Sequence, residues 1–172
     1  MKLDTAMSIS NHAVDLAAQL GHSLASRQLR VTTGESCTGG GIANAITEIP
    51  GSSGWFDMAF VTYSNEAKTL LLNVPASILT RFGAVSEEVA KAMAMGALQS
   101  AKADIAVAVS GIAGPTGGTE KKPVGTVCFA WAFQNQIESE TCLFAGDRTE
   151  VREQTVEHAL KGLILYLNKV DT

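Results

Sequence analysis

The run Ile105-Ala106-Val107-Ala108-Val109 is apolar at every position, so neither of its faces suits water. A run of this kind fits a central β-strand covered by helices on both sides. The rest of the chain supplies those layers. Asn11 to Ser26 carries Val14, Ala17, Leu20 and Leu24 at helical spacing, with Ser8, Ser10 or Asn11 as candidate caps. Leu29 to Thr33 reads as a strand, Ile42 onward as a helix, Gly51 to Gly54 as a loop and Met58 to Tyr63 as a second strand. Asn65 is placed to cap a helix through Lys68 to Leu72. Val74-Pro75 ends that helix, Pro75 to Phe82 forms another, and Ser86 opens one running to about Lys102. After the central strand come a loop from Gly111 to Pro123, strands at Val124 to Phe133 and Ile137 to Phe144, and a helix from Thr149 to Asn168. This order predicts an α/β fold, a three-layer α/β/α sandwich with a mixed, mostly parallel sheet.

A length of 172 residues with 46% hydrophobic content suits a single domain over residues 1–172. The net charge of -4 argues against a nucleic-acid surface, which needs clustered Lys and Arg, and Lys121-Lys122 is too short a run to count as one. Met1-Lys2-Leu3-Asp4 has no apolar core of signal-peptide type, and no apolar run approaches the roughly 20 residues of a membrane span. A cytoplasmic protein is expected. Cys37, Cys128 and Cys142 show no metal-binding spacing, and Cys128 and Cys142 read as buried strand residues. His12 and His22 fall on the first predicted helix and His158 on the last, without an HExxH spacing and most simply on exposed faces. No metal, no cofactor and no histidine base is therefore expected.

The candidate chemistry begins at Gly34-Glu35-Ser36-Cys37-Thr38-Gly39-Gly40-Gly41, a turn between a predicted strand and a predicted helix. Ser36 lies near a helix N-terminus, where free N–H groups and the helix dipole favour negative charge on a bound oxygen. The plainer reading makes Ser36 or Thr38 a helix cap. Capping needs no glycine run, however, and Gly39 and Gly40 suggest close approach of a ligand to the backbone. The second strand ends at Tyr63-Ser64-Asn65 with Lys68 one turn further on, where a lysine is ordinarily a solvated charge. The third ends at Ser110 and continues into Gly111-Ile112-Ala113-Gly114-Pro115-Thr116-Gly117-Gly118-Thr119, which is suited to cradle a phosphate yet lacks any Walker or GxGxxG spacing. All three segments follow strand carboxyl ends, where open α/β sheets bind ligands.

Gly-Glu-Ser-Cys-Thr-Gly-Gly at 34–40, Val-Thr-Tyr-Ser-Asn-Glu-Ala-Lys at 61–68, Gly-Ala-Val-Ser-Glu-Glu-Val-Ala at 83–90, Ser-Gly-Ile-Ala-Gly-Pro-Thr-Gly-Gly at 110–118 and Lys-Pro-Val-Gly-Thr-Val at 122–127 resemble the CinA C-terminal domain family, in its stand-alone nicotinamide-nucleotide amidase branch of the PncC type. The resemblance spans nearly the whole chain. Gly34 departs from it, since the family often has Ala there. The molybdopterin-binding-like domain of full-length CinA proteins has no counterpart, so its activities are not expected.

The resemblance implies hydrolysis of the carboxamide of nicotinamide mononucleotide to nicotinate mononucleotide and ammonia, in pyridine-nucleotide recycling. It makes Ser36 the nucleophile and Lys68 its base. An ordinary lysine is neutral at pH 7 only about 0.04% of the time, and neutralising it costs roughly 4.6 kcal/mol, so Lys68 must be desolvated or stand near another cation. Tyr63 and Ser86 are candidates to relay or orient the proton, and Tyr63 alternatively stacks on the pyridine ring. Backbone N–H groups around Cys37 and Thr38 would form an oxyanion hole. For the phosphate, the candidates are the Gly111–Thr119 loop with Lys121 or Lys122, and Arg148 or Arg152, which would otherwise pair with Asp147 and Glu150. Two rival readings stand beside this one: Cys37 as the nucleophile, and a non-catalytic nucleotide-binding module in which Lys68 stays charged. Trp55-Phe56, read as an exposed apolar patch, suggests a homodimer.

Overall fold

A computed structural model describes residues 9–170. The readings of Met1 to Asp4 and of Ser8 as a cap lie outside those residues. The elements are α1 (Asn11–Arg27), β1 (Val31–Glu35), α2 (Gly41–Thr47), a 3-10 turn (Ser52–Gly54), β2 (Phe56–Val61), α3 (Asn65–Leu72), α4 (Ala76–Phe82), α5 (Glu87–Ala101), β3 (Ile105–Gly111), β4 (Thr126–Phe133), β5 (Gln136–Leu143) and α6 (Arg148–Val170). Helix starts follow local chemistry. Ser10, Ser64 and Ser86 each accept the N–H three residues on and so cap α1, α3 and α5. Ser64 takes the place predicted for Asn65.

The five strands lie in the order β2-β1-β3-β4-β5. β1 pairs in parallel with β2 and β3, whereas β3–β4 and β4–β5 are antiparallel. The sheet is mixed as predicted. "Mostly parallel" holds for strand direction, four of the five running the same way, but the pairings divide evenly because the β4–β5 hairpin adds two antiparallel ladders.

The apolar run predicted as central is β3, and its alternation divides the core in two. Ile105, Val107 and Val109 join α1, α2 and α6 on one face, whereas Ala106 and Ala108 join α5 on the other. β4 repeats the pattern, with Val127, Phe129 and Trp131 toward α6 and Cys128, Ala130 and Ala132 toward α5. Large side chains on one face and alanines on the other let α5 lie close to the sheet. Helices pack just as closely to each other. A Cβ on Gly96 of α5 would stand 1.9 Å from the carbonyl oxygen of Leu72, the last residue of α3.

Trp55 is 4% exposed and packs in the core under Gly21, so the expected Trp55-Phe56 surface patch is not formed. Instead Met58, Val61, Tyr63, Leu70 and Leu71 are exposed, on or beside the edge strand β2 and on α3.

The parallel ladder has one consequence for function. Glu35 is level with Val61 on one side and with Val109 on the other. The chain therefore leaves β1 and β2 side by side, at Ser36 and Thr62, next to Ser110 near the end of β3. Gly96→Ala tests the close contact that fixes α3 against α5: overpacking should destabilise the fold by roughly 1–3 kcal/mol, read as a lower urea midpoint with an unchanged slope.

Candidate active site

Lys68 is 1% exposed, and its Nζ lies 3.0 Å from the Ser36 hydroxyl oxygen. Helix α3 begins just past the end of β2, so a side chain one turn in reaches back over the strand end. There Nζ also meets the carbonyl oxygens of Thr62 at 2.8 Å and Tyr63 at 3.3 Å. A neutral amine has two N–H donors and one lone pair. The ammonium form donates to all three oxygens; once the amine is neutral, the two carbonyls match its donors and the lone pair is left for the Ser36 hydroxyl proton. Burial pushes the Lys68 pKa down from its ordinary value, and the weak opposing influence comes from Cys37. Among the described residues no carboxylate pairs with it.

The Ser36 turn is held from behind by Glu35, a fully buried carboxylate. It accepts Thr33 Oγ1 at 2.9 Å, Thr38 Oγ1 at 2.7 Å, and the N–H groups of Ile42 and Ala43 at 2.9 and 3.0 Å. The start of α2, expected to favour charge on a bound oxygen, is thus occupied by the chain's own carboxylate. Arg152, reaching from α6, donates to the carbonyls of Cys37 at 3.1 Å and Thr38 at 3.0 Å. A trans peptide points its N–H opposite its C=O, so holding the Cys37 carbonyl directs the Thr38 N–H away from Arg152. The Ser36 N–H is bonded to Val109 O at 3.1 Å, and that of Gly39 to Ser36 O at 3.1 Å.

A cleft of about 300 Å³ opens over this pair. It brings together Ser36, Cys37, Tyr63, Lys68 and Ser110, and Gly111, Gly114, Thr116 and Gly117 of the following loop. Arg148 also lines it, donating to Gly114 O at 2.8 Å and to the exposed Tyr63 hydroxyl at 3.3 Å. Ser110 is buried, with its hydroxyl on Ala84 O at 2.7 Å.

Other expected site residues lie elsewhere. Thr38 turns its hydroxyl onto Glu35 and lines a separate pocket beside Arg152. Gly39 and Gly40 take positive φ values of 58° and 95°, so the turn itself requires them, and neither lines the cleft. Ser86 caps α5 and donates to Gly83 O, away from the amine. Gly118 packs against Val124. Lys122 fastens its amine to Phe82 O at 3.1 Å and Val85 O at 2.6 Å, and Lys121 is exposed outside the cleft.

Burial pushes the Cys37 thiol up to about 12, with the neighbouring Glu35 charge adding to the rise. The thiol is therefore protonated at neutral pH and a poor nucleophile beside Ser36. Residue-by-residue reading missed the roles of Glu35 and Arg152 as supports of the turn. The available signal was a carboxylate shortly before a helix whose N-cap is glycine.

Fold and geometry define an α/β protein with a buried serine–lysine pair at the carboxyl edge of a parallel ladder. Comparison with known proteins gives the family. The CinA C-terminal domain model matches residues 13–167, and the chain belongs to that family. It is 54% identical over 149 residues to the nicotinamide-nucleotide amidohydrolase PncC of Pseudomonas putida, across 87% of this chain and 93% of that protein. Against the protein of the same name from Escherichia coli it is 53% identical over 152 residues, across 87% and 92%. The crystal structure of competence/damage inducible protein CihA from Agrobacterium tumefaciens superposes with a TM-score of 0.90 at 44% identity, over 95% of this chain and 99% of that one.

Because the folded pKa of Lys68 lies below its unfolded value, the unfolded chain binds more protons in the window between the two. Stability of the wild type relative to Lys68→Met should therefore rise with pH through that window and level off above the ordinary lysine value. Urea denaturation of both proteins at neutral and alkaline pH checks this, and a difference that falls with pH contradicts it.

Proposed function

We propose that this chain hydrolyses the carboxamide of nicotinamide mononucleotide to nicotinate mononucleotide and ammonia, with Ser36 as nucleophile and Lys68 as its base. The observation that carries the reading is the Lys68 amine, buried with no carboxylate partner among the described residues and 3.0 Å from Ser36 Oγ. The names of the PncC relatives support the substrate.

Lys68 takes the Ser36 proton as Oγ attacks the carboxamide carbon. The negative charge that develops on the carbonyl oxygen is met by the N–H groups of Cys37 and Thr38, each such donor typically being worth about 3–4 kcal/mol. The ammonium of Lys68 then protonates the leaving nitrogen, the C–N bond breaks, and ammonia departs from an ester on Ser36. Water attacks that ester, gives its proton to Lys68, and the proton returns to Oγ as the ester bond breaks. Ser36 and Lys68 end as they began.

Arg148 is the candidate for the phosphate. It lines the cleft beside the Gly114–Gly117 loop, whereas the Lys122 amine is occupied by two carbonyls and Arg152 by the Ser36 turn. Tyr63, hydrogen-bonded to Arg148 at the cleft mouth, is placed to orient the ligand. On this reading the enzyme serves pyridine-nucleotide recycling in the cytoplasm. The exposed apolar side chains Met58, Val61, Leu70 and Leu71 support a homodimer. No described helix is long and apolar enough to cross a membrane.

Ammonia release from nicotinamide mononucleotide tests the reading. Ser36→Ala and Lys68→Ala should each lose at least about 10³-fold in kcat, with folding intact. Wild-type kcat/KM should rise with pH through a limb whose midpoint lies below the ordinary lysine value. Full activity in Ser36→Ala would return the nucleophile to Cys37, and nucleotide binding without ammonia release by the wild type would favour the binding-module reading.

A further inference from the structure

On the far part of α6, away from the cleft, three side chains of metal-ligating type converge. Glu140 and Cys142 alternate along β5 and so share its face toward α6, where His158 meets them. Cys142 Sγ lies 3.6 Å from His158 Nε2, and Glu140 Oε1 lies 2.5 Å from the same nitrogen. The three ligand atoms are all within 4.8 Å of one another. The expectation that His158 sits on an exposed face is not met: its ring packs on Phe129, 4.7 Å between centroids, and lies beside Phe144 and Trp131.

Two readings of such a cluster differ in geometry. A proton relay uses both ring nitrogens of histidine, one toward the thiol and the other toward the carboxylate. Here thiol and carboxylate meet at one nitrogen, which Glu140 holds in a direct hydrogen bond, so the carboxylate must move aside for the three to face a common ion. A tetrahedral zinc ion holding one sulfur and one nitrogen separates them by about 3.5 Å, close to the distance already present. The Glu140 side chain, 47% exposed, has room to swing outward and admit an ion. Thiolate, imidazole and carboxylate together select borderline-soft divalent cations over magnesium or calcium.

We propose that Cys142, His158 and Glu140 form a binding site for a zinc-type divalent cation, with a fourth coordination position open to solvent. The ion ties α6 to β5 at a point six residues, about 9 Å, along the helix from Arg152, which holds the Ser36 turn. Binding displaces the Cys142 thiol proton to the buffer and moves the Nε2 proton shared with Glu140 to Nδ1, so with a neutral imidazole one proton is released per ion bound.

Cobalt(II) titration of the metal-stripped full chain tests this. The wild type should bind one ion per chain with a near-ultraviolet thiolate-to-cobalt charge-transfer band and release one proton. Cys142→Ser should lose the band, and His158→Gln should weaken binding roughly 100-fold or more, beyond what loss of a supporting residue costs. Zinc should raise the melting temperature of the wild type and leave that of Cys142→Ser unchanged. Should Cys142→Ser fail to fold, Glu140→Gln, altered at a half-exposed side chain, should still show weakened binding. Absence of the charge-transfer band in the wild type, or a band that persists in Cys142→Ser, overturns the proposal.

Discussion

A lysine amine is buried here with three oxygen atoms and, among the described residues, no carboxylate, and the rest of the site is arranged around that condition. Desolvation disfavours the ammonium, and a nearby carboxylate would restore it. Cys37, the close ionisable neighbour, remains a neutral thiol because its own burial and the Glu35 charge oppose ionisation. Glu35 is held by two hydroxyls and two backbone N–H groups of its own turn. The thiol and the carboxylate therefore supply no pairing charge to Lys68.

This condition rests on packing far from the cleft. Alanines on one side of β3 and β4 allow α5 to approach the sheet, and Gly96 allows α3 to approach α5. The end of α3 is thereby fixed, and Lys68 with it. On the other side of the sheet α6 is seated by Trp131, whose indole N–H donates to Ala159 O at 3.2 Å and whose ring lies where any side chain on Gly162 would fall. The same helix carries Arg148 into the cleft and Arg152 onto the Ser36 turn. Nucleophile and base are positioned from opposite faces of the sheet, and the parallel β1–β2 ladder makes them meet.

Much of this was legible in the sequence. The unbroken apolar run of β3 announced a doubly covered strand, and the layer order followed. Ser36, Tyr63, Lys68 and Ser110 stood out because each lies at or shortly past the end of a strand, and these strands proved to end on the same edge. Roles decided by tertiary contacts were not legible. A glycine run reads alike whether a ligand or a left-handed backbone requires it, and Gly39 and Gly40 are of the second kind. Lys122 looked like a phosphate cation until its amine met two carbonyls thirty-seven and forty residues away in sequence. Glu35 gave only a faint sign of its role, a carboxylate shortly before a glycine-capped helix, since a charged residue in a strand is ordinarily at the surface. Cys142 and His158 are sixteen residues apart, a spacing that means nothing until β5 and α6 pack.

The central claim is that burial holds the Lys68 pKa below the ordinary lysine value, so that the amine can serve as a base. An NMR titration of the Lys68 side chain, labelled at Cε and assigned by its loss in Lys68→Met, measures this without substrate. The account predicts a midpoint below the ordinary lysine value. A midpoint at or above the ordinary lysine value would contradict it and leave the amine as a fixed cation.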